Sequence, residues 1–215
     1  MALKVNVFQF NGFQENTYLV SNDSGEALIF DPGCYSREEE LVLTNFIEEN
    51  KLTICAALYT HAHIDHILGA EFVREKYKCS SYLHPLDHST WTSVANYAHV
   101  YGFEGYKSSE VPENTLEDKQ ELHIGPFKIQ VRHAPGHAPG HVVFYFEQDN
   151  FIINGDVLFR ESFGRVDLPG GDLETLKKSI FDILFQYPDE TIVYCGHGPN
   201  TTIGHEKQYN YINQY

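Results

Sequence analysis

The chain has 215 residues, 15 of them Lys or Arg and 30 Asp or Glu, for a formal charge of −15 with histidine neutral. That acidic excess argues against a nucleic-acid partner, because binding to phosphate backbones rests mostly on Lys and Arg contacts that release counterions. With 42 % hydrophobic and 14 % aromatic residues, the composition excludes a disordered chain and supplies a core for one domain over residues 1–215.

Four cysteines, Cys34, Cys55, Cys79 and Cys195, stand far apart with no C-x-x-C pair, so neither a zinc knuckle nor a disulfide framework is indicated. The first ten residues carry Lys4, then alternate apolar with polar, and lack the continuous apolar stretch of a signal peptide. No run approaches the roughly 18 apolar residues of a membrane span. The expectation is a soluble, cytoplasmic protein with no membrane partner.

In chain order, short strands are predicted at Leu3–Val7, Tyr18–Val20 and Ala27–Phe30, the last closed by Asp31-Pro32-Gly33. Ser36 with Glu39 reads as a capping box, after which Val42, Leu43, Phe46 and Ile47 share a helical face. A strand follows at Thr53–Tyr59, then a histidine-rich loop, a helix from about Ile67 to Lys78 and a strand at Ser81–Leu83. From Asp87 to Pro112 the period is lost while aromatics accumulate (Trp91, Tyr97, Tyr101, Phe103, Tyr106), which fits either a lid or packing beneath a long loop. Strands are predicted at Phe127–Val131, Val142–Phe146 and Phe151–Ile153. Asp172 then caps a helix whose Leu173, Leu176, Ile180, Ile183 and Leu184 share a face until Pro188, and Thr191–Tyr194 is a final strand. The two halves resemble each other in element order, so the fold class is α/β, with two sheets and outer helices.

The chemistry concentrates after the Thr53–Tyr59 strand. Thr60-His61-Ala62-His63-Ile64-Asp65-His66 places three imidazoles and a carboxylate within six positions, all good donors for Zn²⁺ and similar ions. Three further candidate ligands each sit just past a predicted strand beside glycine: His137 in Ala-Pro-Gly-His, Asp156 in Asn-Gly-Asp, and His197 in Cys-Gly-His-Gly. Loops at strand ends can converge over one sheet edge. The repeated Ala-Pro-Gly-His leaves His141 as the alternative to His137; His141 opens a strand, and His137 is preferred. His84, ahead of Pro85 and Asp87, is a possible neighbour of the site, and Cys195 is read as a buried thiol rather than a ligand.

T-H-A-H-I-D-H, A-P-G-H-A-P-G-H, N-G-D-V-L-F and C-G-H-G, in that order, resemble the metallo-β-lactamase-fold superfamily, and within it the short glyoxalase II-like (hydroxyacylglutathione hydrolase-like) enzymes. Glu15-Asn16-Thr17-Tyr18-Leu19, Asp31-Pro32-Gly33, Gly164 to Gly171 and Thr201-Thr202-Ile203-Gly204-His205-Glu206 extend the match over nearly the whole chain. The resemblance implies an αββα sandwich with the metal site at one edge of the sheets. It makes His61, His63 and His137 ligands of a first ion, Asp65, His66 and His197 ligands of a second, and Asp156 a bridge. Asp31 would orient a ligand imidazole from behind.

The implied cofactors are two divalent ions, Zn²⁺ by donor type with Fe and Mn compatible. The implied reaction is thioester hydrolysis, of the S-lactoylglutathione type, by a metal-bridging hydroxide with Asp65 as the catalytic proton acceptor. Arg165 matches a basic residue that contacts the glutathione carboxylate; its alternative is an ion pair with Asp167. Two features depart from the glutathione pattern: Asp167 replaces a tyrosine, and the C-terminal helical substrate domain of long members is not expected. A mononuclear iron persulfide dioxygenase using His61, His137 and Asp156, and a lactone or ester hydrolase of the same fold, remain the competing readings. The partner expected is a small-molecule thioester, and the oligomeric state stays open.

Overall fold

In the computed structural model, which describes residues 3–215, strands β1 (Lys4–Phe10), β2 (Glu15–Ser21) and β3 (Glu26–Phe30) form an antiparallel meander. The chain divides into two compact units, the first ending at Thr115 and the second running Leu116–Tyr215. In the first, β2 is buried along its whole length although Tyr18, Leu19 and Val20 are its only apolar residues. Ser36 and Glu39 cap helix α1 (Arg37–Glu49) reciprocally. Leu43 and Ile47 go to the core, whereas Val42, expected on that face, is 53 % exposed. The α1 crossover returns the chain as β4 (Thr53–Leu58), parallel to β3, and β5 (Ser80–Leu83) and β6 (Asn114–Thr115) extend the sheet in parallel.

The helix predicted from Ile67 to Lys78 is two pieces, α2 (Ile64–Ile67) and α3 (Ala70–Tyr77). They separate at Gly69, whose N–H donates to the Pro32 carbonyl at 2.8 Å and where a Cβ would meet the Cys34 thiol and two carbonyls. The aperiodic aromatic stretch contains helix α4 (His88–Tyr97) with 3₁₀ turns on both sides. Trp91 is buried edge-on against Tyr59 and donates to the Ser109 carbonyl, and Phe103 is buried against Tyr35. These two aromatics are packing. Tyr101 remains half exposed against Phe13.

The second unit is a six-stranded sheet in the order β14-β13-β10-β9-β8-β7, built from β7 (Glu121–Ile124), β8 (Phe127–His133), β9 (Val142–Phe146), β10 (Phe151–Gly155), β13 (Ile192–Cys195) and β14 (Thr201–Thr202). A hairpin of β11 (Leu158–Phe159) and β12 (Ser162–Phe163) follows β10. Helix α5 (Leu173–Lys178), capped by Asp172 as expected, relaxes into a π turn at Ser179–Ile183 and a 3₁₀ turn at Leu184–Gln186. The π turn keeps Leu176, Ile180 and Leu184 buried while moving Ile183 toward the rim. Helix α6 (Ile203–Tyr209) and a 3₁₀ turn at Tyr211–Gln214 end the chain. None of the four cysteines is in a disulfide. Among the described residues, no helix is long and apolar enough to cross a membrane.

Candidate metal centre

In the first unit the site begins with parallel pairing. Phe30 of β3 and Leu58 of β4 are in register, so both strands end at one sheet edge and Asp31 emerges beside Thr60. Asp31 adopts a left-handed φ of 47° and is held there by its N–H donating to the Leu58 carbonyl at 3.0 Å. Its carboxylate accepts the Thr60 N–H on Oδ1 at 2.7 Å and the Thr60 hydroxyl on Oδ2 at 2.6 Å. His66 Nδ1 lies 3.2 Å from the same Oδ2, and His61 Nδ1 lies 3.0 Å from Thr60 Oγ1.

These contacts assign the tautomers. The Thr60 hydroxyl hydrogen goes to Asp31, so Oγ1 accepts from His61 Nδ1–H, and a carboxylate can only accept from His66 Nδ1–H. In the neutral form of both rings the lone pair therefore sits on Nε2, the atom a metal needs. The His61 ring centre lies 4.1 Å from that of His66 and 4.7 Å from that of His63. Asp65 Oδ2 stands 3.7 Å from His66 Nε2.

Residues not singled out in the sequence hold this loop. The buried Asp87 accepts the Ala62 N–H at 2.8 Å, and the 3₁₀ turn that places it is capped by His84 Nδ1. That is how His84 relates to the site. Asn11, in the hairpin turn, donates to the carbonyls of Gly33 and Asp65, each at 3.0 Å. Gly33 has no alternative, since a Cβ there would collide with the Glu15 carboxyl and the Asp65 backbone.

Glu15 is fully buried, and burial pushes its carboxyl well above the usual carboxylate range; His66 opposes the shift and Asp31 adds to it. In the metal-free protein the folded state therefore keeps a proton that the unfolded chain releases near pH 4.3. The stability this contributes is fully present below that pH and is lost as pH rises through the folded value. Glu15→Gln is expected to flatten the fall in melting temperature of metal-free protein between pH 5 and 8. Parallel melting curves for the two proteins would show that Glu15 carries no such proton.

The second unit repeats the logic. β10 and β13 are parallel, with Gly155 paired to Cys195, so Asp156 and His197 leave the sheet at one edge. β8 runs in the same direction, being separated from β10 by the antiparallel β9, and so the loop after it delivers His137 to that edge too. His137 Nδ1 donates to the Arg165 carbonyl at 2.7 Å, so the neutral ring carries its lone pair on Nε2. His137 Nε2 and His197 Nε2 then face one oxygen, Asp156 Oδ2, at 3.5 and 3.6 Å.

Those separations are long for hydrogen bonds. They match the about 3.3 Å between donors around a tetrahedral ion with bonds of about 2.0–2.1 Å. Each imidazole, paired with the shared carboxylate oxygen, has the donor spacing expected around a divalent cation. Of the two histidines in the repeated motif, His141 spends Nε2 accepting the Asp156 N–H at 3.0 Å, so it fixes the backbone of Asp156. Cys195 is buried in β13, where burial pushes its thiol far up and Sγ lies 3.8 Å from the Val193 carbonyl.

Arg165 contributes through its backbone. Its guanidinium makes a bidentate pair with Asp167 at 2.6 and 2.7 Å on the surface, and holds that carboxyl down at about 2. Gly164 before it approaches the Asp156 carbonyl so closely that a Cβ could not be accommodated.

The sequence profile of the metallo-beta-lactamase superfamily matches residues 10–197. The probable metallo-hydrolase YqgX of Bacillus subtilis is 38 % identical over 92 % of this chain and 91 % of its own. The hydroxyacylglutathione hydrolase GloC of Haemophilus influenzae is 32 % identical over 97 % of both. Among solved structures, the BLEG-1 B3 metallo-beta-lactamase superposes with a TM-score of 0.89 at 35 % identity, covering 97 % of this chain and 98 % of that one. TTHA1623 in a di-iron-bound form gives 0.85 at 37 % identity, covering 96 % and 99 %. The α/β architecture is thus the metallo-β-lactamase fold.

Proposed function

The chain belongs to the metallo-β-lactamase superfamily, and from that premise we propose that it is a dinuclear metal-dependent thioester hydrolase. In this reading His61, His63 and His137 hold one divalent ion, Asp65, His66 and His197 hold the other, and Asp156 serves both. Zn²⁺ suits the donors, with Fe and Mn compatible. Bound there, the ions would supply Lewis acidity and lower the pKa of coordinated water toward neutrality. The observation that carries the reading is the pair of imidazole nitrogens at ion-sharing distance from Asp156 Oδ2. The thioester class is supported by the relative named as a hydroxyacylglutathione hydrolase.

The chain's own groups have definite tasks. Asp31 and Thr60 keep the Nε2 lone pairs of His66 and His61 available, and the Arg165 carbonyl does so for His137. Asp65 Oδ2 takes the proton from the attacking water and passes it toward the departing thiolate. No serine or cysteine nucleophile is required.

Elemental analysis of purified protein combined with turnover of S-lactoylglutathione, a lactone and a β-lactam tests the proposal. Two ions per chain with preferred thioester cleavage is the expected result. One iron per chain with oxygen consumption would replace it with persulfide oxidation, and a lactone or β-lactam preference would keep the metals and change the substrate.

A glutathione thioester would have to draw Arg165 away from Asp167. Because exposed ion pairs contribute little, the exchange is feasible, and Arg165→Ala is expected to raise KM for S-lactoylglutathione about two- to fivefold with kcat unchanged. An unaltered KM would remove Arg165 from substrate binding.

A further inference from the structure

The Thr-Thr-Ile-Gly-His-Glu stretch has no part in the chemistry above, yet its Glu206 is completely buried on α6. His205 Nε2, a basic atom nearby, is 3.9 Å from Oε1, too far for a hydrogen bond. Three donors satisfy the carboxylate instead: the Thr201 hydroxyl at 2.5 Å, the Glu161 N–H at 2.8 Å and the Asn210 side-chain amide at 2.6 Å. Asn210 Nδ2 also reaches the carbonyls of Ser162 at 2.7 Å and Phe159 at 3.2 Å. Glu206 and Asn210 thus grip the β11–β12 hairpin from both arms and from its tip.

The tip needs the grip, because Glu161 has a left-handed φ of 59° without being glycine. What the hairpin carries is the ring of Phe159, set edge-on against His197 at 6.0 Å between centres. A buried carboxylate with so little cationic support is costly for a fold, and an apolar residue would pack the space more cheaply. The network makes sense as a device for geometry.

We infer that Glu206 and Asn210 are positioning residues: they clamp the hairpin so that Phe159 fixes the His197 imidazole in the orientation that binds metal. The inference rests on the dinuclear reading of the site.

The test is titration of metal-free protein with Zn²⁺ and Co²⁺ against a competing chelator, with the Co²⁺ visible spectrum and the melting temperature of each metal-free variant recorded. Wild type is expected to take two ions. Glu206→Leu and Asn210→Ala are expected to weaken one of them by about 10- to 100-fold and leave the other unchanged. Glu206→Gln should stay within about threefold of wild type, since its amide oxygen can serve Glu161 and Asn210 while its NH₂ donates to Thr201. Phe159→Ala, which leaves the clamp intact, should reproduce the single-ion loss and decides the matter if the other variants melt below the assay temperature. Two ions bound with wild-type affinity by Phe159→Ala would overturn the inference alone. Fewer than two ions in wild type would instead overturn the reading of the site beneath it.

Discussion

Asp156→Asn is expected to abolish binding of two ions per chain and to lower kcat/KM by about a thousandfold. Two imidazole nitrogens address the carboxylate together, and an amide brings neither its charge nor a second oxygen. A loss of about 4 kcal/mol in transition-state stabilisation corresponds to that factor. The fold should not suffer, because the Asp156 backbone N–H that donates to His141 is left alone by the substitution. Metal-free melting should be unchanged or slightly higher, since a poorly solvated charge has been removed. What disappears is the rise in melting temperature on adding Zn²⁺, which follows from ligand binding to the native state alone. Retention of that rise together with full activity would refute the assignment of Asp156.

The parts of this site that could be read from sequence are those whose geometry is local. Three histidines and an aspartate between positions 61 and 66 need only one short loop to converge. His137, Asp156 and His197 announced themselves by following apolar strands, and parallel pairing turns that shared grammar into a shared edge. Asp87, Asn11 and Glu15 act across 25 to 54 residues of separation or through burial alone; Glu15 opens a stretch that carries the resemblance, but the stretch does not say what Glu15 touches. Helix α4 was hidden because only Trp91 and Val94 face inward from a stretch of Ser, Thr and His, too few for a period to stand out. The break at Gly69 and the π turn after Lys178 are likewise responses to neighbours, a close approach to Pro32 and Cys34 in the first case and the need to keep three four-spaced residues buried in the second.

Asp31→Asn is the more discriminating substitution, since it exchanges one oxygen for an NH₂ and alters two histidines at once. The introduced amide oxygen must stay where Oδ1 accepts the Thr60 N–H, an obligatory buried donor. The NH₂ then occupies the position of Oδ2, donating one hydrogen to Thr60 Oγ1 and offering the other to His66 Nδ1. His66 can meet that donor only by moving its proton to Nε2. Thr60, now an acceptor from the introduced amide, turns its own hydrogen toward His61 Nδ1 and drives the same tautomer change there. Both imidazoles end with a proton where the lone pair should be. Asparagine tolerates the left-handed backbone at this position, so metal-free stability should remain near wild type while metal affinity falls about 10- to 100-fold and activity falls at least as far. Nitrogen-15 chemical shifts of the two rings in metal-free protein would report the exchange of tautomers directly. Wild-type tautomers with unimpaired metal binding in Asp31→Asn would mean that these histidines are oriented by something other than the Asp31 carboxylate.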